Sequence, residues 1–219
     1  MPTPALAIRP VEPHELEAVG ELTVLAYRAD GLSYDTYEPS LRDAASRART
    51  ATVLVAEQED RLVGAVTVAT RLGPWAEQAV RGDAVVRMLV VDPARRGGGI
   101  GAALAAACVD VARADGCSVL RLSSHDGSPA HRVYERLGFA RVPELDWSPG
   151  GGVVLRAFAL PLVPWCGQCG EELTPGGHEH CRAAAESEPP RYCVQCRRPV
   201  QATPAGWTAR CAEHAPLTG

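Results

Sequence analysis

From Val85 to Leu104 the chain reads V-V-R-M-L-V-V-D-P-A-R-R-G-G-G-I-G-A-A-L. The apolar and β-branched run predicts a buried strand, which Asp92-Pro93 stops, and three glycines then form a turn. Beyond the turn Ile100, Leu104, Cys108 and Val111 recur at helical spacing, interleaved with small alanines that permit close packing on a sheet, and Gly116 supplies a cap. The same reading applied upstream predicts a short strand over Ala5–Arg9. A helix follows, opened by Pro13, with Leu16, Val19, Leu22 or Thr23 and Ala26 on one face. Tyr27–Pro39 reads as a polar loop, Leu41–Arg49 as a helix, and Val53–Glu57 with Leu62–Thr70 as a hairpin around Gln58-Glu59-Asp60. Arg71–Asp83, with Gly73-Pro74 and Gly82-Asp83, reads as irregular.

Downstream, Val119, Leu120 and Leu122 mark a strand, Pro129–Leu137 a helix, Phe139–Val142 a strand after Gly138, and Val153–Leu160 the last strand. This order predicts an α/β sandwich around a mixed sheet. At Pro161 the pattern changes. Residues 161–219 contain six of the eight cysteines, few aliphatic residues and many Pro and Gly, so they need something other than an apolar core to hold them. The expected division is an α/β domain over 1–160 and a Cys/His module over 164–216.

Composition narrows the partners. With 219 residues, 46% of them hydrophobic and 22% charged, the chain has ample material for a core. No apolar run is long enough to span a bilayer, and M-P-T-P-A-L-A-I-R-P lacks a basic segment followed by an apolar one, so no membrane partner and a cytoplasmic location are expected. The net charge of −4, and −1 over residues 161–219 from five Arg against six Glu, argue against nucleic acid. All 22 basic residues are Arg, so the chain has no lysine of its own to modify.

The glycine turn carries the first candidate chemistry. Gly97, Gly98 and Gly99 remove Cβ atoms where backbone N–H groups meet the start of a helix, and both the free amides and the helix dipole favour an anion. A nucleotide kinase loop would need Lys, and a dinucleotide loop would follow the first strand as G-x-G-x-x-G. Here Arg96-Gly97-Gly98-Gly99-Ile100-Gly101 gives R-x-x-G-x-G in mid-chain, after a strand ending V-D-P. In this respect, and in Ala130-His131-Arg132-Val133-Tyr134-Glu135-Arg136-Leu137-Gly138-Phe139, which matches A-x-x-x-Y-E-x-x-G-F, the sequence resembles the GNAT superfamily of N-acetyltransferases.

The resemblance implies a mixed, mostly antiparallel central sheet flanked by helices. It implies that Arg96, Gly97, Gly98, Gly99, Ile100 and Gly101 grip the pyrophosphate of acetyl coenzyme A. The backbone of Leu89, Val90 and Val91 would accompany the pantetheine arm, in a strand that carries a bulge. Tyr134 would reach the cofactor sulfur. A phenol there suits the reaction, because attack of a neutral amine on a thioester expels a thiolate that a group of reference pKa about 10 can protonate. The family's frequent Glu early in this strand is replaced by Val85, and its Asn ahead of the tyrosine helix by Gly127. Water, Asp83 or His125 are the candidates for taking the proton from the acceptor. Tyr27, Tyr34, Asp35, Tyr37 and Glu38 fall where the family forms a wall of the acceptor site, for a small-molecule or peptide amine.

The C-terminal segment holds two C-x-x-C knuckles, Cys166/Cys169 and Cys193/Cys196, a strong signal for zinc. In one arrangement each knuckle closes its own site: Cys166, Cys169, His178 or His180, and Cys181, then Cys193, Cys196, Cys211 and His214. In the other, the knuckles share one four-cysteine ribbon. Two structural ions and a possible protein partner are the expectation, since each proposed site is filled by protein ligands. The function that the resemblance implies is transfer of acetyl from acetyl-CoA to a primary amine. The competing reading is a non-catalytic acyl-CoA-sensing adaptor with a zinc module.

Overall fold

The structure, a computed structural model, describes residues 5–77, 79–150, 152–188, 190–195 and 199–200. The elements are β1 (Leu6–Pro10), α1 (Leu16–Ala29), α2 (Glu38–Arg42), α3 (Ala44–Thr50), β2 (Thr52–Gln58), β3 (Arg61–Ala69), β4 (Asp83–Val91), α4 (Ile100–Ala114), β5 (Val119–His125), α5 (His131–Arg136), β6 (Ala140–Arg141), β7 (Trp147–Gly150), β8 (Val153–Pro161) and α6 (Glu179–Ser187). The strands join in one sheet, in the order β1-β2-β3-β4-β5-β8-β6 with β7 also on β8. Every pairing is antiparallel except β4 with β5. The parallel pair follows from the α4 crossover between its strands.

Burial is two-sided at the centre. On one face Val66, Val68, Ala84, Val86, Leu120 and Leu122 pack under Ile100, Leu104 and Cys108 of α4 and Tyr134 of α5. On the other, Val53, Val55, Ala65 and Val90 pack under Val19, Leu22 and Ala26 of α1. Such a strand carries apolar side chains on successive residues, which is why Val85–Val91 showed no alternation.

The helix expected over Leu41–Arg49 divides into α2 and α3 at Asp43, whose carboxylate accepts from Ser46 N–H, and α6 and one strand are added. The Tyr27–Pro39 loop gives way to α2 at Glu38, where Pro39 occupies the second helical position and needs no intrahelical donor. The strand expected over Phe139–Val142 contracts to Ala140–Arg141, because Phe139 turns into the core beside Tyr134. Trp147–Gly150, which contains Pro149 and two glycine neighbours and gives no strand signal, pairs with β8.

Candidate functional site

The site is made by what β4 does halfway along. Thr67 of β3 faces Arg87 and Ala65 faces Val90, so Met88 and Leu89 together oppose Val66 alone, a β-bulge. Met88 takes φ +49°, and the side-chain alternation reverses there. Val85 before the bulge and Met88 and Val90 within and beyond it lie on the α1 face. Val86, Leu89 and Val91 lie toward α4 and α5. Leu89, Val90 and Val91 therefore stand on the distal side of an irregular backbone. Arg47 of α3, 1% exposed, supports the bulge from behind, with Nη1 3.0 Å from Met88 Sδ and donating to Leu41 C=O at 2.9 Å.

A cleft opens beside the bulge. β4 and β5 pair only over Asp83–Val86 and Val119–Leu122. Beyond, Arg87–Val91 and Ser123–His125 continue without a mutual ladder, leaving a V whose arms offer backbone groups to a ligand.

At the open end of β4 the chain passes Asp92, whose carboxylate accepts from Ala94 N–H at 2.9 Å, and enters the glycine turn. Gly97 and Gly99 have φ +88° and +81°, and a Cβ at either would project into open space. They are glycines for conformational reasons and to keep an approaching ligand's path clear. Gly99 is the residue before α4, where the first amides of a fifteen-residue helix have no partner within the helix. Ile100 is buried, and Gly101 sits against Leu89 and Val91. Both arginines of the turn are engaged by carboxylates. Arg96 makes a two-point pair with Asp30 at 2.6 and 3.0 Å, and Arg95 reaches Glu59 at 3.4 Å.

Tyr134 projects from α5 into the face toward α4, 6% exposed, with its ring 6.0 Å from Phe139 and 5.8 Å from Phe158. Burial pushes its phenol up to about 12, so it stays a proton donor throughout the neutral range. Cys108 nearby is likewise pushed up to about 12 by burial and is no nucleophile. His125 ends β5, its Nδ1 2.9 Å from Asp126 C=O. By strand alternation it shares a face with Arg121 and Ser123, opposite to Leu122 and Tyr134.

Of the other acceptor-side candidates, Tyr37 stacks on Tyr34 at 5.4 Å and meets Tyr27 edge-on at 6.0 Å. Tyr27, Tyr37 and Trp75 gather round Met88. Glu38 is bound by Arg28 and Ser33 and lowered to about 2, which removes it as a free partner for an ammonium group. Asp83 is engaged too: Arg121 Nε donates to it at 2.6 Å. It opens β4, roughly 15 Å along the strand from the bulge, too far to act as base there.

The family model for the acetyltransferase (GNAT) family matches residues 16–139, more than half the chain. The chain belongs to the GNAT acetyltransferase family. No curated protein matches it. Among solved structures, it is similar to yncA, an acetyltransferase of Salmonella typhimurium determined with acetyl-CoA: identity 22%, TM-score 0.56, covering 72% of this chain and 94% of that one. It is also similar to a ribosomal-protein-alanine N-acetyltransferase of Brucella melitensis (22%, TM-score 0.55, covering 71% and 99%). A GNAT acetyltransferase of the same organism in complex with acetyl-CoA gives 23% and TM-score 0.54, covering 80% and 94%. The neighbours are matched almost whole while a fifth or more of this chain lies outside the match, so they report on the GNAT fold.

The remainder is the cysteine-rich segment. The ligand atoms of Cys166, Cys169, His178 and Cys181 lie within 4.8 Å of one another. His178 Nδ1 is 3.1 Å from Cys169 Sγ, and its Nε2 is 3.0 Å from Glu172 C=O. A carbonyl can only accept, so Nε2 carries the proton and Nδ1 turns its lone pair to the thiols. His180 stacks on His178 at 5.9 Å and stands outside the cluster. Cys193 is fully buried and is not among the four clustered donors. Cys196, Cys211 and His214 lie outside the described residues.

Sequence reasoning missed Arg47, Asp30 and the pair Asp83–Arg121. The one available signal was Arg121, a charge inside the apolar run V-L-R-L of β5.

Proposed function

We propose that the chain transfers an acetyl group from acetyl-CoA to a primary amine by direct attack. The observation that carries this reading is the conjunction, round one cleft, of the β4 bulge, the glycine turn at the start of α4, and a buried protonated phenol. Gly97–Gly101 with Arg96 would receive the pyrophosphate, and Leu89, Val90 and Val91 the amides of the pantetheine arm. An N–H freed by the bulge is suited to polarise the thioester carbonyl. Tyr134 acts as general acid on the departing thiolate.

The acceptor approaches from the opposite face, past Tyr27 and Tyr37. His125, on that side, or water takes its proton. Acid and base then stand on opposite sides of the carbonyl carbon, as direct displacement requires. The acetyl-CoA bound in the solved neighbours supports the choice of donor.

We assign zinc to Cys166, Cys169, His178 and Cys181, and a second ion to Cys193 with Cys196, Cys211 and His214. A tetrahedral Zn²⁺ with bonds of ~2.0–2.3 Å needs ligand atoms roughly 3.5–4 Å apart, and four soft or borderline donors already within 4.8 Å fit that demand. Bound there, the ion supplies structural cross-linking, with no position open for a reactant. We place the protein in the cytoplasm, where thiolate ligands stay reduced; no described helix is long and apolar enough to cross a membrane.

The test is a screen of small amines and peptides with acetyl-CoA, products resolved by mass. A product heavier by one acetyl group, formed with release of free thiol, is expected. Tight acetyl-CoA binding with no thiol released for any acceptor would overturn the transferase reading.

A further inference from the structure

The closed end of the β4–β5 pair holds a polar cluster that acetyl transfer does not use. Asp83 opens β4 and Arg121 lies in β5; both are more than nine-tenths buried, and Arg121 Nε donates to Asp83 Oδ2 at 2.6 Å. Val80 N–H donates to the same oxygen at 3.1 Å. A buried ion pair is costly to desolvate and is held only when its other hydrogen-bonding positions are occupied. Here the Cys/His segment supplies one hydrogen-bond acceptor, to Arg121, and one ionic contact longer than a hydrogen bond, to Asp83. Pro175 C=O, between Cys169 and His178, receives Arg121 Nη1 at 3.5 Å. Arg182, the residue after Cys181, brings Nη1 to 3.8 Å from Asp83 Oδ2. Leu173 of the same loop packs on the Val119, Val142 and Ala159 cluster. Between segment and sheet lies a cavity of ≈ 290 Å³ bordered by Asp83, Ser118, Arg121, His178, Cys181 and Arg182. The segment is therefore not continuous with the catalytic core, and a few named contacts seat it.

We propose that Arg182 and the Pro175 carbonyl are positioning groups for the acetyl-CoA cleft: they brace the Asp83–Arg121 pair, and metal on the four-donor cluster keeps the brace closed. The proposal rests on the zinc and acetyl-CoA readings above. Its physical basis is leverage. Asp83–Val86 and Val119–Leu122 are the whole paired length of β4 and β5, and the strands part directly beyond. That short ladder is the root of the V. Loosening it changes the spacing of the arms that grip the cofactor, whereas Tyr134, which packs on the same ladder, is also held by Phe139 and Phe158 outside it, so the effect falls first on cofactor affinity. It also places the module at the end of the sheet remote from the bulge, away from the acceptor's path.

The experiment uses the full chain purified with zinc, in parallel with the chain stripped by a chelator, Arg182→Ala and Arg182→Lys. Bound zinc, acetyl-CoA affinity by calorimetry, turnover, and deuterium uptake of peptides covering 83–86 and 119–122 are measured. Arg182→Ala is expected to keep its zinc, exchange faster in both peptides, and bind acetyl-CoA roughly tenfold more weakly with kcat within about twofold of the parent. Arg182→Lys restores most of the affinity. The stripped chain behaves like Arg182→Ala and recovers when zinc is returned.

Parental exchange and affinity in Arg182→Ala would overturn the brace, as would a loss confined to kcat, and parental behaviour of the stripped chain would overturn the metal's part. A chain that takes up no zinc would overturn the metal's part, and Arg182→Ala, which needs no metal, decides the brace separately. A parent that binds no acetyl-CoA refutes the donor reading and is seen before any variant is compared.

Discussion

In the proposed mechanism Tyr134 is the proton donor, and its burial predicts how it behaves. A phenol titrating at about 12 is protonated through the neutral range, so the falling limb of the pH–rate profile due to this group lies near 12. Measured kcat/KM should therefore show no decline from Tyr134 up to pH ~10, the ordinary value for tyrosine. Tyr134→Phe keeps the ring between Phe139 and Phe158 and removes only the proton donor. Single-turnover kinetics should show a loss of about a hundredfold, with acetyl-CoA affinity by calorimetry nearly unchanged; an unaltered rate would take Tyr134 out of the mechanism. The glycine turn is tested from the binding side. Gly99→Ala meets no atom, so its cost is the strain of a left-handed φ of +81°, of the order of 1–2 kcal/mol. Weaker acetyl-CoA binding with an intact fold is the expected outcome, read by calorimetry and circular dichroism.

At the scale of elements, one bulge sets which face each residue of β4 serves. Period-two alternation would put Met88 with Val86 toward α4, whereas the extra residue turns it toward α1 and Arg47. The run V-V-R-M-L-V-V identifies a buried strand, yet nothing in it marks the bulge, because apolar residues suit both faces and the left-handed φ falls on Met, not on glycine. The helices on the α1 face depend on an equally local fit. A Cβ on Gly20 would lie 2.3 Å from Arg42 C=O, a backbone atom that cannot step aside without moving the end of α2. Gly20→Ala should cost about 1–3 kcal/mol, seen as a lower midpoint in thermal unfolding.

For the molecule as a whole, acid sensitivity comes from carboxylates held by arginines at its surface. Glu15 is lowered from the usual 4.5 to about 2, first by its hydrogen bond to Arg9, and Glu38 to about 2, first by Arg28. Folded values below unfolded ones mean that both contribute stability above pH 4.5, and lose it as pH falls from 4.5 toward 2. Thermal midpoints measured across that window should fall, and less so in Glu15→Gln, which has no such proton to gain. The sequence by itself determined most of the strands and helices, though not β7, α6 or the division of α2 from α3, and with them the glycine turn, the tyrosine of A-x-x-x-Y and the change of character at Pro161, since each is written in local spacing or composition. Tertiary structure alone decided the rest. It split β4 from β5 after four residues, gathered Cys181 and His178 to the first knuckle, and withdrew Asp83 and Glu38 from chemistry by pairing them with Arg121 and Arg28. Those outcomes join residues tens of positions apart in most cases, and which distant charge or thiol fills a given space depends on chain packing that no local pattern encodes.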